Sequence, residues 1–161
     1  MDSNEVASAF QNDSLGSDDA VGLADKIKKG ELSASLVTRD AIERAKAVNP
    51  KLNAITVENF DLAQTNSEKP FSGFFQGVPT FIKDTDEVPG LPLYLGSRSL
   101  PGEPSDKYSK AAKQIVDTGL NCLGTTTTPE FGLTGTTESL RFGATCNPWN
   151  TDYSTGGSSG G

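Results

Sequence analysis

The segment GVPTFIKD, residues 77–84, is an apolar run that ends in a lysine and an aspartate. Its valine, phenylalanine and isoleucine predict a strand over 78–83. An irregular stretch over 84–105 leads from it to a helix over 106–118 and a buried strand over 120–123. A strand, a helix and a second strand in this order predict an α/β fold with a largely parallel sheet.

Four further elements are predicted upstream of this unit. They are a helix from Asp18 or Asp19 to Gly30, a helix from Ser33 or Ser35 to Asn49, a strand over 52–57 and a brief helix over 60–68. The second helix is expected to end before Pro50, because the residue before a proline disfavours helical backbone. Residues 1–17 are polar and acidic and are expected to form a disordered tail, so the domain is predicted to span 18–161.

Charge and residue usage exclude several classes of protein. The 161 residues include 14 Lys and Arg, 21 Asp and Glu and no His, and the net charge is -7. A chain of this length holds one domain at most, and its acidic balance lacks the basic stripe of a nucleic-acid binder. Without histidine, Ser-His-Asp catalysis, Cys-His catalysis and imidazole metal ligation are excluded within the chain.

Nothing in the sequence predicts a metal site, a cofactor or a membrane partner. Cys122 and Cys146 are too few for a zinc site, and two reduced thiols are favoured over a disulfide between them. The N-terminus lacks the basic start and apolar stretch of a signal peptide, and the chain lacks the run of about 18 apolar residues that spans a membrane. We expect a cytoplasmic protein.

The first candidate for chemistry is GGSSGG, residues 156–161. Glycines on both sides of two serines allow a close approach of backbone N–H groups to a ligand, and such a loop can cradle an anion or hold a serine in an unusual pose. The alternative is a flexible Gly/Ser linker.

The second candidate is Lys83, at the end of the predicted strand over 78–83. The carboxyl ends of strands are where α/β folds place their sites, and burial favours the neutral, basic form of a lysine. The alternative is a surface lysine that pairs with Asp84 or Asp86.

Two polar segments and several aromatic residues have less specific interpretations. The segments GTTTTPEFG, residues 124–132, and TTE, residues 136–138, either line a pocket or use their hydroxyls to satisfy turn backbone. Trp149, the only tryptophan, is expected to anchor the core, and the alternative is stacking on a substrate. The same role is expected for three phenylalanines, Phe71, Phe74 and Phe75.

The order and spacing of GVPTFIKD, GTTTTPEFG, TTES, GATCNPWN and STGGSSGG strongly resemble the amidase signature family of hydrolases. The resemblance covers residues 18–161 and is sharpest from Gly77 onward. It implies an α/β/α fold in which helices cover both sides of one large mixed sheet. It also implies hydrolysis of a carboxylic amide C–N bond in a small-molecule substrate, with no cofactor and no nucleic-acid partner.

The resemblance also assigns roles to individual residues. The family uses a Ser-Ser-Lys triad, which suits a chain without histidine. Lys83 matches the catalytic lysine, the general base. Ser158 matches the bridging serine, which family members hold in a cis peptide and which passes a proton between lysine and nucleophile. Ser159, Gly156 and Gly157 are expected to shape the loop and contact the substrate.

The family's nucleophilic serine and oxyanion hole follow GGSSGG in a second glycine-rich segment, and no residue of this sequence matches them. The expectation is therefore the opening portion of the fold, incomplete at the C-terminus and inactive alone. The alternative is a noncatalytic truncated paralogue, or a gene fragment, that binds an amide, a carboxylate or a partner subunit. An intact mass of the native protein that matches 161 residues would favour the alternative, and a larger mass would favour the amidase.

Two branches of the family compete. The segment TPEFG, residues 128–132, resembles the amidase branch, whereas the A subunit of glutamyl-tRNA amidotransferase carries a Met-Asp-Glu-Phe type sequence there. The particular amide is not specified by the sequence. The oligomeric state is open too, with a homo-oligomer among the options.

We expect the isolated 161-residue chain to be poorly soluble or partly unfolded, because an incomplete sheet leaves an apolar face and a strand edge exposed. Thermal unfolding and sedimentation of the purified chain measure this. A cooperative, reversible melt of a monomer would contradict it.

Overall fold

A three-stranded mixed sheet is the centre of the fold. The structure is a computed structural model that describes residues 6–161. The strands are β1 (Ile55–Glu58), β2 (Pro79–Lys83) and β3 (Asn121–Thr126), in the order β1-β3-β2. β2 runs parallel to β3, whereas β1 runs antiparallel to it. The predicted α/β class is therefore confirmed, and the expected parallel pairing applies to β2 and β3 only.

Helices cover both faces of this sheet. They are α1 (Ala20–Lys28), α2 (Ala34–Leu52), α3 (Phe60–Ser67) and α4 (Lys110–Asp117). One core cluster joins α2 and α3 to the sheet and contains Ile42, Ala45, Phe60, Ala63 and Leu123. A second lies on the opposite face under α4 and contains Ile82, Val88, Leu91, Ala112 and Cys122. Because neighbouring residues of a strand point to opposite faces, Cys122 and Leu123 reach different clusters, and the result is an α/β/α sandwich.

Three helices begin where the sequence places a side-chain cap. Asp19 accepts a hydrogen bond from the Gly22 N–H at 2.8 Å, at the beginning of α1. Ser33 caps α2 in the same way, and Ser109 caps α4. The helix expected over 106–118 therefore begins later, at Lys110, because Ser109 supplies the cap.

The end of α2 differs from the prediction. The helix continues through Pro50 to Leu52 and ends at Asn53, which adopts left-handed backbone with φ of 51°. A proline this close to the end of a helix removes a single hydrogen bond, and the Asn53 N–H still reaches the Asn49 carbonyl at 2.8 Å. The Asn49 side chain then accepts from the N–H of Ala54 and Ile55, which directs the chain into β1.

The polar stretch from residue 124 onward includes short regular elements. It contains the end of β3, a single helical turn at Glu130–Gly132 and two small antiparallel pairs. The pairs are β4 (Glu138–Ser139) with β5 (Gly143–Ala144), and β6 (Cys146–Asn147) with β7 (Asn150–Ser154).

The expected core roles of two aromatic residues are wrong. Trp149 is 78% exposed, because it occupies the turn between β6 and β7, where its backbone N–H donates to Asn147 Oδ1. Phe74 is 63% exposed and meets Phe75 edge to face, with ring centroids 5.1 Å apart. Phe75, in contrast, packs against the third core cluster, which joins α1 to α2 and contains Leu23, Ala24, Val37 and Val78.

Both cysteines are free thiols, as expected, with Cys122 buried and Cys146 half-buried. Within residues 6–161, no helix combines the length and the apolar character that crossing a bilayer requires.

The described part of the expected N-terminal tail, residues 6–17, packs on α2; residues 1–5 lie outside the described residues. Arg44 of α2 donates to both carboxylate oxygens of Asp13, at 2.7 and 2.6 Å. The Ser14 N–H donates to Asp40 at 3.0 Å, and the Ala7 N–H donates to the Pro148 carbonyl at 2.9 Å. The domain boundary at residue 18 stays a prediction.

Replacing Arg44 with methionine should release residues 6–17, because hydrogen bonds to a charged group contribute about 1.5–3 kcal/mol and Asp13 would lose its partner. Hydrogen exchange of these residues, followed by mass spectrometry, should accelerate roughly tenfold or more, since ~1.4 kcal/mol is a factor of ten. Lys113→Met is the matched control, because Lys113 pairs with Asp117 on the exposed surface of α4. Unchanged exchange in Arg44→Met would contradict the contact.

The same contact has a defined pH dependence. The guanidinium of Arg44 holds the pKa of the Asp13 carboxyl below its ordinary value. The contact therefore stabilises the docked segment at pH values above the ordinary pKa of aspartate. The stabilisation disappears as the pH falls through the lowered pKa. On acidification, the protection factors of residues 6–17, which are the intrinsic exchange rates at each pH divided by the observed rates, should fall more in the wild type than in Arg44→Met.

Candidate active site

The lysine at the end of β2 is the first component of the site. β2 and β3 leave the sheet at the same edge, and Lys83 is in register with Thr126. The Nζ atom of Lys83 donates a 2.7 Å hydrogen bond to the Oγ atom of Ser158, which follows 75 residues later. Both side chains are half-buried. The structure thus brings together the two residues to which the sequence assigned chemistry, and the alternative pairing of Lys83 with Asp84 or Asp86 is replaced by this contact.

Ser158 lies in the glycine–serine loop, residues 156–161. Contacts with four threonines of the segment 127–137 hold this loop along its length. The contacts are a bridge between Thr136 and Gly156, Thr137 Oγ1 donating to the Gly156 carbonyl at 2.9 Å, Thr128 Oγ1 donating to the Ser158 carbonyl at 3.2 Å, and the Gly161 N–H donating to the Thr127 carbonyl at 3.3 Å. The loop is therefore an ordered part of the site, and the flexible-linker alternative does not describe it.

A buried layer of threonines supports the glycine–serine loop from below. Thr127 and Thr145 share a hydrogen bond of 2.7 Å between their hydroxyls, and Thr145 also donates to the Asn53 carbonyl at 2.9 Å. Together with Thr137, these threonines are at most 2% exposed. Their hydroxyls satisfy backbone carbonyls and one another, which is the second of the two interpretations that the sequence left open.

Glycine is required in the loop where the backbone approaches this layer. A Cβ atom at position 160 would lie 2.1 Å from Thr137 Oγ1, and one at position 161 would lie 2.3 Å from the Ala54 carbonyl oxygen. At Gly156, in contrast, the nearest atom would be 3.9 Å away. The peptide bond between Gly157 and Ser158 is cis, which is the geometry that the family resemblance implies for this serine.

The residue after the lysine is a fully buried carboxylate. Asp84 is 0% exposed, and its two oxygens accept hydrogen bonds from the N–H groups of Tyr94 at 3.0 Å and Gly96 at 3.2 Å. Burial raises the pKa of Asp84, while the two N–H groups and the positive charge of Arg141 oppose that rise. This carboxylate therefore holds the irregular stretch over 84–105 beside the site.

The geometry supports proton transfer between an amine and a hydroxyl. At 2.7 Å, Lys83 and Ser158 are within the range for a general base and the group from which it takes a proton. Ser159, Gly156 and Gly157 are exposed in the same loop.

Sequence reasoning did not identify the residues that support the site. Thr128 and Thr137 stood within polar segments whose role was left open, and Asp84 was considered only as a surface partner of Lys83. The sequence contained one signal, the aspartate that directly follows an apolar strand. Burial of a carboxylate costs free energy, so a buried aspartate needs hydrogen-bond donors nearby. The identity of those donors, 10 and 12 residues later, depends on the path of the loop.

Replacing Gly160 with alanine should destabilise the protein by about 1–3 kcal/mol, because the new methyl group would collide with Thr137. Gly156→Ala is the matched control in the same loop, and its effect should stay within about 0.5 kcal/mol. Chemical denaturation measures both changes in the free energy of unfolding. Equal effects of the two substitutions would contradict the close approach.

Known proteins resemble this chain in sequence and in fold. The family model described as Amidase matches residues 36–161. AmiC of Mycobacterium leprae (strain TN), a protein named as an amidase, is 43% identical over 153 residues, which are 95% of this chain and 33% of that protein. The 6-aminohexanoate-cyclic-dimer hydrolase of Paenarthrobacter ureafaciens is 37% identical over 146 residues, which are 89% of this chain and 29% of that protein.

The fold agrees as well. The solved structure of a 6-aminohexanoate cyclic dimer hydrolase complexed with substrate superimposes with a TM-score of 0.82 at 36% identity, over 88% of this chain and 30% of that one. The chain spans about a third of the length of the curated relatives it matches. The family match over most of the chain, the shared fold and the relatives together show that this chain belongs to the amidase signature family.

Proposed function

We propose that Lys83 and Ser158 are the general base and the proton relay of a site that hydrolyses a carboxylic amide C–N bond. The 2.7 Å hydrogen bond between Lys83 Nζ and Ser158 Oγ is the observation that carries this proposal. Lys83 and Ser158 are in contact and together can act as a base in a chain that contains no histidine. Because the chain belongs to the amidase signature family, we assign amides as the substrates of this base.

The proposed reaction begins with a neutral Lys83 amine. A nucleophilic serine attacks the amide carbonyl carbon. This serine would come from a part of the protein outside these 161 residues. Its proton passes to Ser158 Oγ, while Ser158 gives its own proton to Lys83 Nζ. The proton returns by the same route to the leaving amine as the C–N bond breaks. Water then attacks the acyl-enzyme and its proton passes through Ser158 to Lys83. The same route returns this proton to the nucleophilic serine as the ester bond breaks and the carboxylic acid leaves.

The exposed side of the glycine–serine loop is the proposed substrate contact. Gly156 and Gly157 are exposed, and a Cβ atom at Gly156 would have no neighbour closer than 3.9 Å, so a substrate has room to approach the loop there. Ser159 is exposed beside them and is proposed to contact the substrate through its hydroxyl. The contribution of these three residues is to orient the amide over Ser158.

The proposed substrate is a small-molecule amide. The TPEFG segment, residues 128–132, supports the amidase branch over the tRNA-linked branch. We therefore expect the full-length protein, in the cytoplasm, to release ammonia or an amine from simple amides without tRNA and without partner subunits. Activity only on misacylated tRNA, with partner subunits present, would favour the tRNA-linked branch. Binding of an amide or acid without turnover would favour the noncatalytic alternative.

Lys83→Ala in the full-length protein should abolish amide hydrolysis while substrate binding survives, because the base is lost and the loop is not. Ser158→Ala should lower kcat by about 10²–10⁴-fold, the usual contribution of proton transfer by a positioned side chain. Product release and calorimetric binding of a slowly hydrolysed amide measure the two effects separately.

Lys113→Ala is the matched lysine control, because Lys113 lies on the exposed surface of α4 and pairs with Asp117. Its activity should equal that of the wild type. A Lys83→Ala variant that hydrolyses amides at near wild-type rates would refute the base assignment.

A further inference from the structure

The backbone and the side chain of Asp84 bind two different segments beside the Lys83–Ser158 contact. Asp84 follows Lys83 directly, and its own N–H donates to the Thr126 carbonyl at 2.9 Å, which holds the end of β2 against β3. Its carboxylate accepts hydrogen bonds from the N–H groups of Tyr94 and Gly96. The same residue thus fixes the backbone that carries Lys83 and the path of the loop beyond it.

The loop that Asp84 holds is in turn packed against the support of Ser158. At Gly96, a Cβ atom would lie 2.5 Å from the Thr128 carbonyl oxygen, so the two backbones are in direct contact. The Leu95 carbonyl accepts the Phe131 N–H at 2.7 Å. Thr128 then donates its hydroxyl to the Ser158 carbonyl at 3.2 Å. A continuous series of contacts therefore runs from the carboxylate of Asp84 to the backbone of Ser158.

A second set of contacts keeps the loop in this position from its outer side. Arg141 donates to the carbonyls of Ser97 and Leu100, both at 3.0 Å, and its guanidinium lies 3.8 Å from the centroid of the Tyr94 ring. Ser97 donates to Glu130 at 2.6 Å. The loop is thus held on the segment that contains Thr128 from both sides, and movement of residues 94–96 would be passed on to Thr128.

We propose that Asp84 is a positioning residue that aligns Lys83 with Ser158 through the loop at residues 94–96 and Thr128. The proposal deepens the proposed amide hydrolysis and rests on it. Asp84 does not touch the reacting atoms; it holds the two residues that do, in the way that supporting hydrogen bonds orient the groups of a site.

The chemistry of the carboxylate makes the proposal specific. A carboxylate accepts hydrogen bonds at both oxygens, and Asp84 uses one oxygen for each N–H. Asparagine keeps the shape and one acceptor, but its amide nitrogen is a donor and would face a second donor. In a fully buried position this conflict must move the backbone at Tyr94 or Gly96.

The test is Asp84→Asn in the full-length protein, measured as kcat and KM per folded molecule. We expect kcat to fall about 10²-fold with little change in KM, because small displacements of reacting groups have effects of that size on rate. Two controls separate other causes. Asp86→Asn removes a neighbouring carboxylate that accepts a hydrogen bond from Ser109. Ser109→Ala removes the cap of α4 and should lower the Tm. Both variants should keep the wild-type kcat per folded molecule.

A second readout does not depend on activity. In a crystal structure of Asp84→Asn, the distance from Lys83 Nζ to Ser158 Oγ should exceed hydrogen-bond range. If Asp84→Asn does not fold, Thr128→Val breaks the same series of contacts at its other end and should show the same loss of kcat and the same separation.

A folded Asp84→Asn or Thr128→Val variant that keeps wild-type kcat, or that keeps the 2.7 Å contact, would overturn the proposal. A wild-type protein that hydrolyses no amide would instead refute the proposed function. The distance in the variant would then still decide whether Asp84 positions Lys83 and Ser158.

Discussion

The parallel pairing of β2 with β3 is the constraint on which the site depends. Parallel strands end at the same edge of a sheet, so the lysine at the end of β2 emerges beside the threonines that follow β3. Cys122 and Leu123 fix the position of β3 between two apolar clusters, because each reaches a different one. The register at Lys83 is therefore set by core packing on both faces of the sheet.

Hydrogen bonding, more than apolar burial, determines the shape of the region beyond this edge. Threonine hydroxyls donate to the carbonyls of the glycine–serine loop and to one another, and these threonines are almost fully buried. Each hydroxyl satisfies a polar group that burial would otherwise leave unpaired. Glycine permits the approach at position 160, where a side chain would overlap Thr137. The richness of this part of the chain in Gly and Thr thus has a structural cause.

Several elements were predictable from local sequence because their determinants are local. Ser33 and Asp19 cap helices within three residues of themselves, and short runs of apolar residues indicated the strands. Predictions failed where distant contacts decide. Pro50 was expected to end α2, yet the loss of one hydrogen bond near a helix end is small beside the packing of Ile42 and Ala45 on the sheet. Trp149 was expected in the core, yet a turn between two short strands directs it outward.

The sequence by itself determined the family, the exclusion of histidine-based chemistry within these 161 residues and the two residues, Lys83 and Ser158, on which the proposed reaction rests. It did so because the motifs that carry them are short and consist of residue types with few alternative uses. Only the tertiary structure decided that these two residues touch, that Asp84 is buried rather than paired with Lys83, and that the glycine–serine loop is held by threonines. Those contacts join residues tens of positions apart, and their geometry depends on the pairing of β2 with β3 and on the packing of the loops that follow both strands.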